Sequence, residues 1–233
     1  MIELRTFADL GSGHDGGLDT RHHFSFGNYH DPKRMNWGRI KAWNDNRVAP
    51  RTSLAPHCHP EMEIITYVRQ GAITHQDSLG NTNRTVAGDV HVRSAGTGFT
   101  QSDYNHEDQE TAFFQIFIVP DLKGLPTQWA VRPFPRQICG GTLEILASGF
   151  DGDCQALRIR ADARLAAATL DTAGHAEYAL TKDRKVYLVV ASGQIEVNGV
   201  VMRVGDGAAV HKELLLNLFA HQRSEVLLVD VAY

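Results

Sequence analysis

Along most of this chain the apolar side chains fall in short runs broken by Gly, Asn, Asp and Pro, the pattern of strands separated by turns. Between Trp37 and Val119 the pattern predicts strands over residues 40–43, 62–68, 71–75, 90–92 and 99–103, then a strongly apolar one over 112–119. The turn chemistry between them is explicit. Asp77-Ser78-Leu79-Gly80-Asn81 reads as a hairpin connection, Val86-Ala87-Gly88-Asp89 as a turn, and Gly96-Thr97-Gly98 as a tight bend. Residues 1–35 show no helical period. Gly11 to Gly17 reads as a loop by its glycines, and residues 22–27 as a short extended piece. The paired His22 and His23 point to opposite faces of such a piece, which argues against their sharing a metal.

Past a Pro-rich stretch at residues 121–136 the strands resume, over 154–159, 163–170, 185–191, 194–197, 208–211 and 226–231. The second half echoes the first. Val68-Arg69-Gln70-Gly71 matches Val190-Ala191-Ser192-Gly193, and Gly88-Asp89 matches Gly205-Asp206. Asn198-Gly199 carries the dipeptide of a type I′ hairpin. Two β-rich units are therefore expected, residues 1–122 and 136–233, in an all-β fold of sandwich or barrel type.

Composition narrows the class. The 233 residues are 42% hydrophobic and 21% charged with a net charge of -4, an ordinary balance for a chain that buries a core and a poor one for direct nucleic-acid binding. No apolar run approaches a membrane span, and Met1-Ile2-Glu3-Leu4-Arg5 lacks the form of a signal peptide. The three cysteines, Cys58, Cys139 and Cys154, are odd in number and not spaced for a metal, so a cytoplasmic setting is expected.

The stretch richest in chemistry is His57-Cys58-His59-Pro60-Glu61-Met62-Glu63. On a strand His57 and His59 project from one face, and Glu63 joins them if Pro60 leaves the alternation intact. Two imidazoles and a carboxylate suit a divalent transition metal, and a carboxylate beside the metal also serves as a base. Cys58 faces the other way and is expected to be a packed thiol. His75, His91 and His106 are expected at the surface.

Several stretches resemble the pirin family of the cupin superfamily, whose members carry two cupin barrels in one chain. They are Phe24-Ser25-Phe26-Gly27-Asn28-Tyr29, Arg47-Val48-Ala49-Pro50, His57-Cys58-His59-Pro60, His75-Gln76-Asp77-Ser78-Leu79-Gly80-Asn81 and Ala95-Gly96-Thr97-Gly98. The resemblance implies a bicupin with a metal, commonly iron, in the N-terminal barrel; Zn, Ni, Mn, Co and Cu are the other candidates. It implies oxidation of a quercetin-type flavonol with dioxygen, as in several members, or a regulatory role through a protein partner, as in others.

The resemblance also exposes a departure. A pirin places His and, two residues on, Glu after the Gly-Thr-Gly bend, and here those positions are Gln101 and Asp103. The expected ligand set is then His57, His59, Gln101 and Asp103, with Asp103 and Glu63 as candidate catalytic carboxylates. Gln supplies only a neutral amide oxygen, and Asp reaches about 1.5 Å less far than Glu, one C–C bond. The substitutions leave open a binding or regulatory barrel that has lost its chemistry. In the second half the corresponding positions fall near Ala179, Thr181, Lys185, Leu218 and Ala220, which hold no ligand set.

Overall fold

The computed structural model describes residues 1–232, with the side chain of His59 outside the description. Its first half holds thirteen strands: β1 Ile2–Arg5, β2 Gly11–Asp15, β3 Leu18–His22, β4 Ile40–Val48, β5 Thr52–Ser53, β6 His57–His59, β7 Glu63–Gln70, β8 Ala72–Asp77, β9 Thr82–Val86, β10 Asp89–Ser94, β11 Phe99–Asn105, β12 Thr111–Ile118 and β13 Gln128–Pro133. Ten follow: β14 Glu144–Ser148, β15 Leu157–Arg158, β16 Ala163–Leu170, β17 His175–Ala179, β18 Arg184–Ser192, β19 Gln194–Val197, β20 Val200–Arg203, β21 Gly207–His211, β22 Leu215–Ala220 and β23 Ser224–Ala232.

Each half is a barrel made from two facing sheets. In the first, the order β13-β10-β7-β12-β4-β3-β2 faces β5-β11-β8-β9, with β6 also on β11. In the second, β1-β21-β18-β23-β16-β14-β15 faces β17-β22-β19-β20. The two seven-stranded sheets pack back to back through Trp43, Ile65, Tyr67, Phe114 and Ile116 on one side and Leu165, Tyr187, Val189, Leu227 and Val229 on the other. This explains why β12 reads as an unbroken apolar run. Phe114, Ile116 and Ile118 face the neighbouring barrel while Phe113, Gln115 and Phe117 face their own interior, so both faces are covered.

The interiors differ. That of the second barrel is hydrocarbon from both of its sheets, including Val186, Leu188, Ile195, Met202, Leu216 and Leu228. That of the first has two small apolar clusters, one around Ile64, Phe99 and Phe117 and one around Val68, Ile73 and Phe113, with polar side chains between them.

The sequence echo corresponds to real turns. Gly71 and Gly193 have φ of 72° and 81°, Gly88 and Gly205 of 89° and 81°, and Asn198-Gly199 both have positive φ as a type I′ turn requires. Three expectations change. Gly11 to Asp15 is a strand; a side chain at Gly11 would collide with the Tyr29 ring, so glycine is kept there for close packing. Residues 128–133, expected inside the linker, form β13 on the edge of the first barrel. Over 154–159 only Leu157 and Arg158 are extended. The first strand also crosses over, pairing Ile2 to Arg5 with β21 of the second barrel.

Candidate metal and ligand site

The site is built where β11 meets β6 and β8. His57 lies directly opposite Gln101 across the β6–β11 pair, and directly opposite residues share a face. Across β8, Asp77 lies opposite Gln101 and His75 opposite Asp103. One barrel-facing surface therefore gathers His57, His75, Asp77, Gln101 and Asp103. His59 is placed by its backbone alone, opposite Phe99, and its side chain lies outside the described residues.

Asp103 is the hub. Its Oδ1 accepts hydrogen bonds from His75 Nδ1 at 2.7 Å and from Gln101 Nε2 at 2.5 Å, while Oδ2 faces His57 Nε2 at 3.9 Å. Burial opposes ionisation of this carboxyl. The charge and hydrogen bond of His75, the charge of His57 and the bond from Gln101 together outweigh it and hold Asp103 below the usual carboxylate range. It is therefore an anion at neutral pH.

Gln101 is committed elsewhere. Arg93, on β10 of the opposite sheet, donates from Nη1 to Gln101 Oε1 at 2.6 Å. The guanidinium lies over the Phe99 ring at 4.7 Å, and its Nη2 is 4.0 Å from Asp77. Arg93, Gln101 and Asp103 are each 2% exposed. The single acceptor oxygen of Gln101 thus faces a buried cation, and its amide nitrogen faces Asp103.

Glu63 does not join this group. Glu61 has a positive φ of 48°, which breaks the alternation after Pro60, and Glu63 begins β7 in phase with Ile65 and Tyr67, which face the core between the barrels. There Ser94 Oγ donates to it at 2.7 Å. Burial drives its carboxyl up to about 7, and the Ser94 hydroxyl and the Arg160 backbone N–H offset only part of that.

Two histidines expected at the surface are buried instead, His75 at 1% and His91 at 3% exposure, with ring centroids 5.0 Å apart. His91 is pushed down to about 2, first by burial and then by His75 and Arg93, so it is neutral. The same rule that paired His57 with His59 pairs His75 with Asp77 and His91 with Arg93; that periodicity was the available signal. His106 is exposed as expected. Cys58 is exposed rather than packed, at the edge of the cavity.

The cavity has a volume of about 870 Å³. His57 and Asp103 line it from one sheet, Asn44, Gln115 and Phe117 from the other, and Met62 and Leu54 add apolar surface. Among the described residues no three His, Cys, Asp or Glu side chains stand in metal-holding geometry. Two ligand atoms each ~2.1 Å from one ion lie roughly 3.0–3.4 Å apart. The 3.9 Å between His57 Nε2 and Asp103 Oδ2 needs only a small adjustment to meet this. His57 and Asp103 are chemically suited to hold a metal, while the oxygen of Gln101, also expected as a ligand, is engaged by Arg93.

Two back-to-back β barrels, one with a polar ligand cavity and one filled with hydrocarbon, define a bicupin. Comparison with known proteins agrees. Residues 4–118 match the family profile described as Pirin, and residues 145–231 that of the quercetinase C-terminal cupin domain. A pirin-like protein of Caulobacter vibrioides is 50% identical over 232 residues, covering 100% of both chains. The quercetin 2,3-dioxygenase of Escherichia coli K12 is 34% identical over 232 residues and 99% of each chain. The crystal structure of the bacterial pirin YhhW from Escherichia coli in complex with nickel(II) superposes with a TM-score of 0.93 at 33% identity, over 100% of this chain and 99% of that one. The chain belongs to the pirin family.

Proposed function

We propose that the N-terminal barrel binds a divalent transition metal, iron in the first instance, through His57, His59 and Asp103, and oxidises a flavonol-type phenol with dioxygen. The reading is carried by the convergence of His57 Nε2 and the ionised Asp103 Oδ2 on the wall of a cavity large enough for such a molecule. It is supported by the nickel-bound relative and by relatives that carry the quercetin dioxygenase name. The metal, when bound, supplies Lewis acidity toward a substrate oxygen and a place for dioxygen to react. His75 and Gln101 fix the Asp103 carboxylate in one orientation through Oδ1, leaving Oδ2 for the metal or for the proton of a substrate hydroxyl. The apolar lining, with Phe113, Phe117, Leu18 and Met62, excludes water around the ring system.

This work belongs to the unit of residues 1–122; the unit of residues 136–233 supports it through the shared core. Glu63, on the far face of β7, does not line the cavity and has no part in this chemistry.

The Arg93–Gln101 bond favours a second reading, in which the barrel binds its small molecule without turning it over and acts through a protein partner. A buried cation in the position that withdraws one ligand weakens any metal nearby by repulsion. Oxygen uptake with quercetin, measured on protein loaded in turn with Fe, Mn, Co, Ni and Cu, separates the two. Turnover that disappears in His57→Ala together with the metal, counted by mass spectrometry, supports the oxygenase. Stoichiometric metal surviving in His57→Ala refutes the ligand assignment, and quercetin binding with no turnover under any metal leaves the second reading.

A further inference from the structure

The barrel face of the large N-terminal sheet carries a straight row of polar side chains. His91 lies opposite Thr66, Thr66 opposite Gln115, Gln115 opposite Asn44, and Asn44 opposite His22, on five adjacent strands. None of the five is more than 7% exposed. The flanking positions two residues away are largely apolar: Ile64, Phe117 and Ala42 on one side, Val68 and Phe113 on the other. The corresponding space in the second barrel is mainly hydrocarbon, and its buried Asp230 is partnered by Tyr178 and Arg184. A buried polar row needs partners, because an amide or hydroxyl removed from water without one is costly.

The protein meets that need only in part. His22 Nδ1 and Asn44 Oδ1 are 2.8 Å apart. Gln115 Nε2, on a side chain 7% exposed, has no hydrogen-bond partner among the described residues, and neither has Thr20 Oγ1. Thr20 lies opposite Asn46, one row along from Asn44. Gln115, Asn44, Asn46, Thr20 and His22 all line the cavity, on the sheet facing His57 and Asp103. The unpartnered atoms thus belong to residues that line the space a ligand would fill, although the atoms themselves are buried in that wall.

The chemistry of this wall narrows the ligand. The row and its neighbours offer three amides (Gln115, Asn44 and Asn46), the Thr20 hydroxyl and the His22 imidazole. His22 adds no charge at neutral pH, since burial lowers its pKa more than the Asn44 bond raises it. Such a row recognises hydroxyl and carbonyl groups; the charged residues that also line the cavity, Lys41 and Asp15, stand outside the row. Phe113 and Phe117 flank Gln115 on the same face of β12 and present apolar surface on either side of it.

We propose that Gln115, with Asn44 and Thr20, forms a second polar end of the ligand site, which selects uncharged aromatic ligands by hydroxyl or carbonyl groups remote from Asp103. The assignment rests on the reading of this barrel as a flavonol-type site and adds the residues that discriminate among phenols. His57 and Asp103 meet the reacting end; Gln115 meets the other.

Calorimetric titration of the full chain, metal-free and nickel-loaded, with quercetin and with flavone, the same ring system without hydroxyls, tests this. Wild type is expected to bind quercetin at least roughly ten-fold tighter than flavone, the worth of one well-made hydrogen bond to a buried group. Gln115→Leu should lose about that factor for quercetin, keep its flavone affinity and hold as much nickel as wild type. Gln115→Met, which keeps the length of the side chain and removes its donors, should do the same and guards against a packing defect in the first variant. Quercetin bound as tightly by both variants as by wild type overturns the proposal and leaves the flavonol reading intact. Equal affinity of wild type for the two ligands means that the wall carries only water, and also overturns it. Failure of wild type to bind quercetin in either form overturns both the proposal and the reading beneath it.

Discussion

Replacing Gln101 by Leu should unfold the first barrel at a markedly lower temperature, although the substituted side chain is apolar and close in size. In the native site the Gln101 amide joins two buried charges, accepting from Arg93 at 2.6 Å and donating to Asp103 at 2.5 Å. Hydrogen bonds to charged groups contribute about 1.5–3 kcal/mol each. Losing both at once, with each partner 2% exposed and unable to turn to water, is expected to cost about 3–5 kcal/mol after partial relaxation. For a chain of this length that is roughly 6–20 °C in melting temperature. Thr100→Ala, at an exposed neighbouring position facing away, should change stability by less than about 0.5 kcal/mol. Scanning calorimetry with urea denaturation as a second probe makes the comparison. The acid limb should move as well. Asp103 has a depressed folded pKa, so its contribution is present above the unfolded value and is lost as pH falls through the folded one. Without Gln101 that loss should begin at higher pH. Gln101→Leu melting within about 2 °C of wild type, with an unshifted acid limb, would refute the account of Gln101 as the link between Arg93 and Asp103.

Three further outcomes follow from the structure. Glu63 has a folded pKa raised from 4.5 to about 7, so the folded state holds the extra proton, and stability should decline as pH rises from about 4.5 to 7. Glu63→Gln should flatten that decline and leave the protein roughly 3 kcal/mol more stable at pH 8, read from urea midpoints; an unchanged pH profile counts against the burial argument. Nickel at a hundred times its dissociation constant should raise stability by about 2.7 kcal/mol, and a chelator should remove the gain, while His57→Ala shows neither effect in thermal melts. Tyr187→Phe removes the 2.8 Å bond between Tyr187 Oη and His23 Nδ1, which links the two barrels, and should cost about 1–2 kcal/mol by chemical denaturation.

The cavity also shows how pattern and packing divide the explanation. Alternation along β11 is enough to put Gln101 and Asp103 on one face, and alternation along β6 puts His57 opposite them once the two strands pair. That Arg93 reaches the same group from the other sheet is invisible along the chain. Arg93 reads as one more charged residue on a strand, and only the closure of the barrel turns it inward. Glu63 shows the reverse error. Its parity with His57 and His59 is correct in number, but one residue of left-handed backbone at Glu61 rotates the strand that follows and carries Glu63 to the other face.

The sequence by itself determined the all-β class, the two-barrel repeat with its paired glycine turns, and the shared face of Gln101 and Asp103 on one strand. These rest on local rules: side-chain alternation every two residues, and turns that demand positive φ. That His57 joins Gln101 and Asp103 was implied by the family resemblance and set by the pairing of β6 with β11. Tertiary structure alone decided which charges face one another, that β1 belongs to the second barrel, and that five polar residues from five strands line up across one sheet. Registers between strands far apart in the chain are set by the packing of whole faces, and no window of sequence contains both partners.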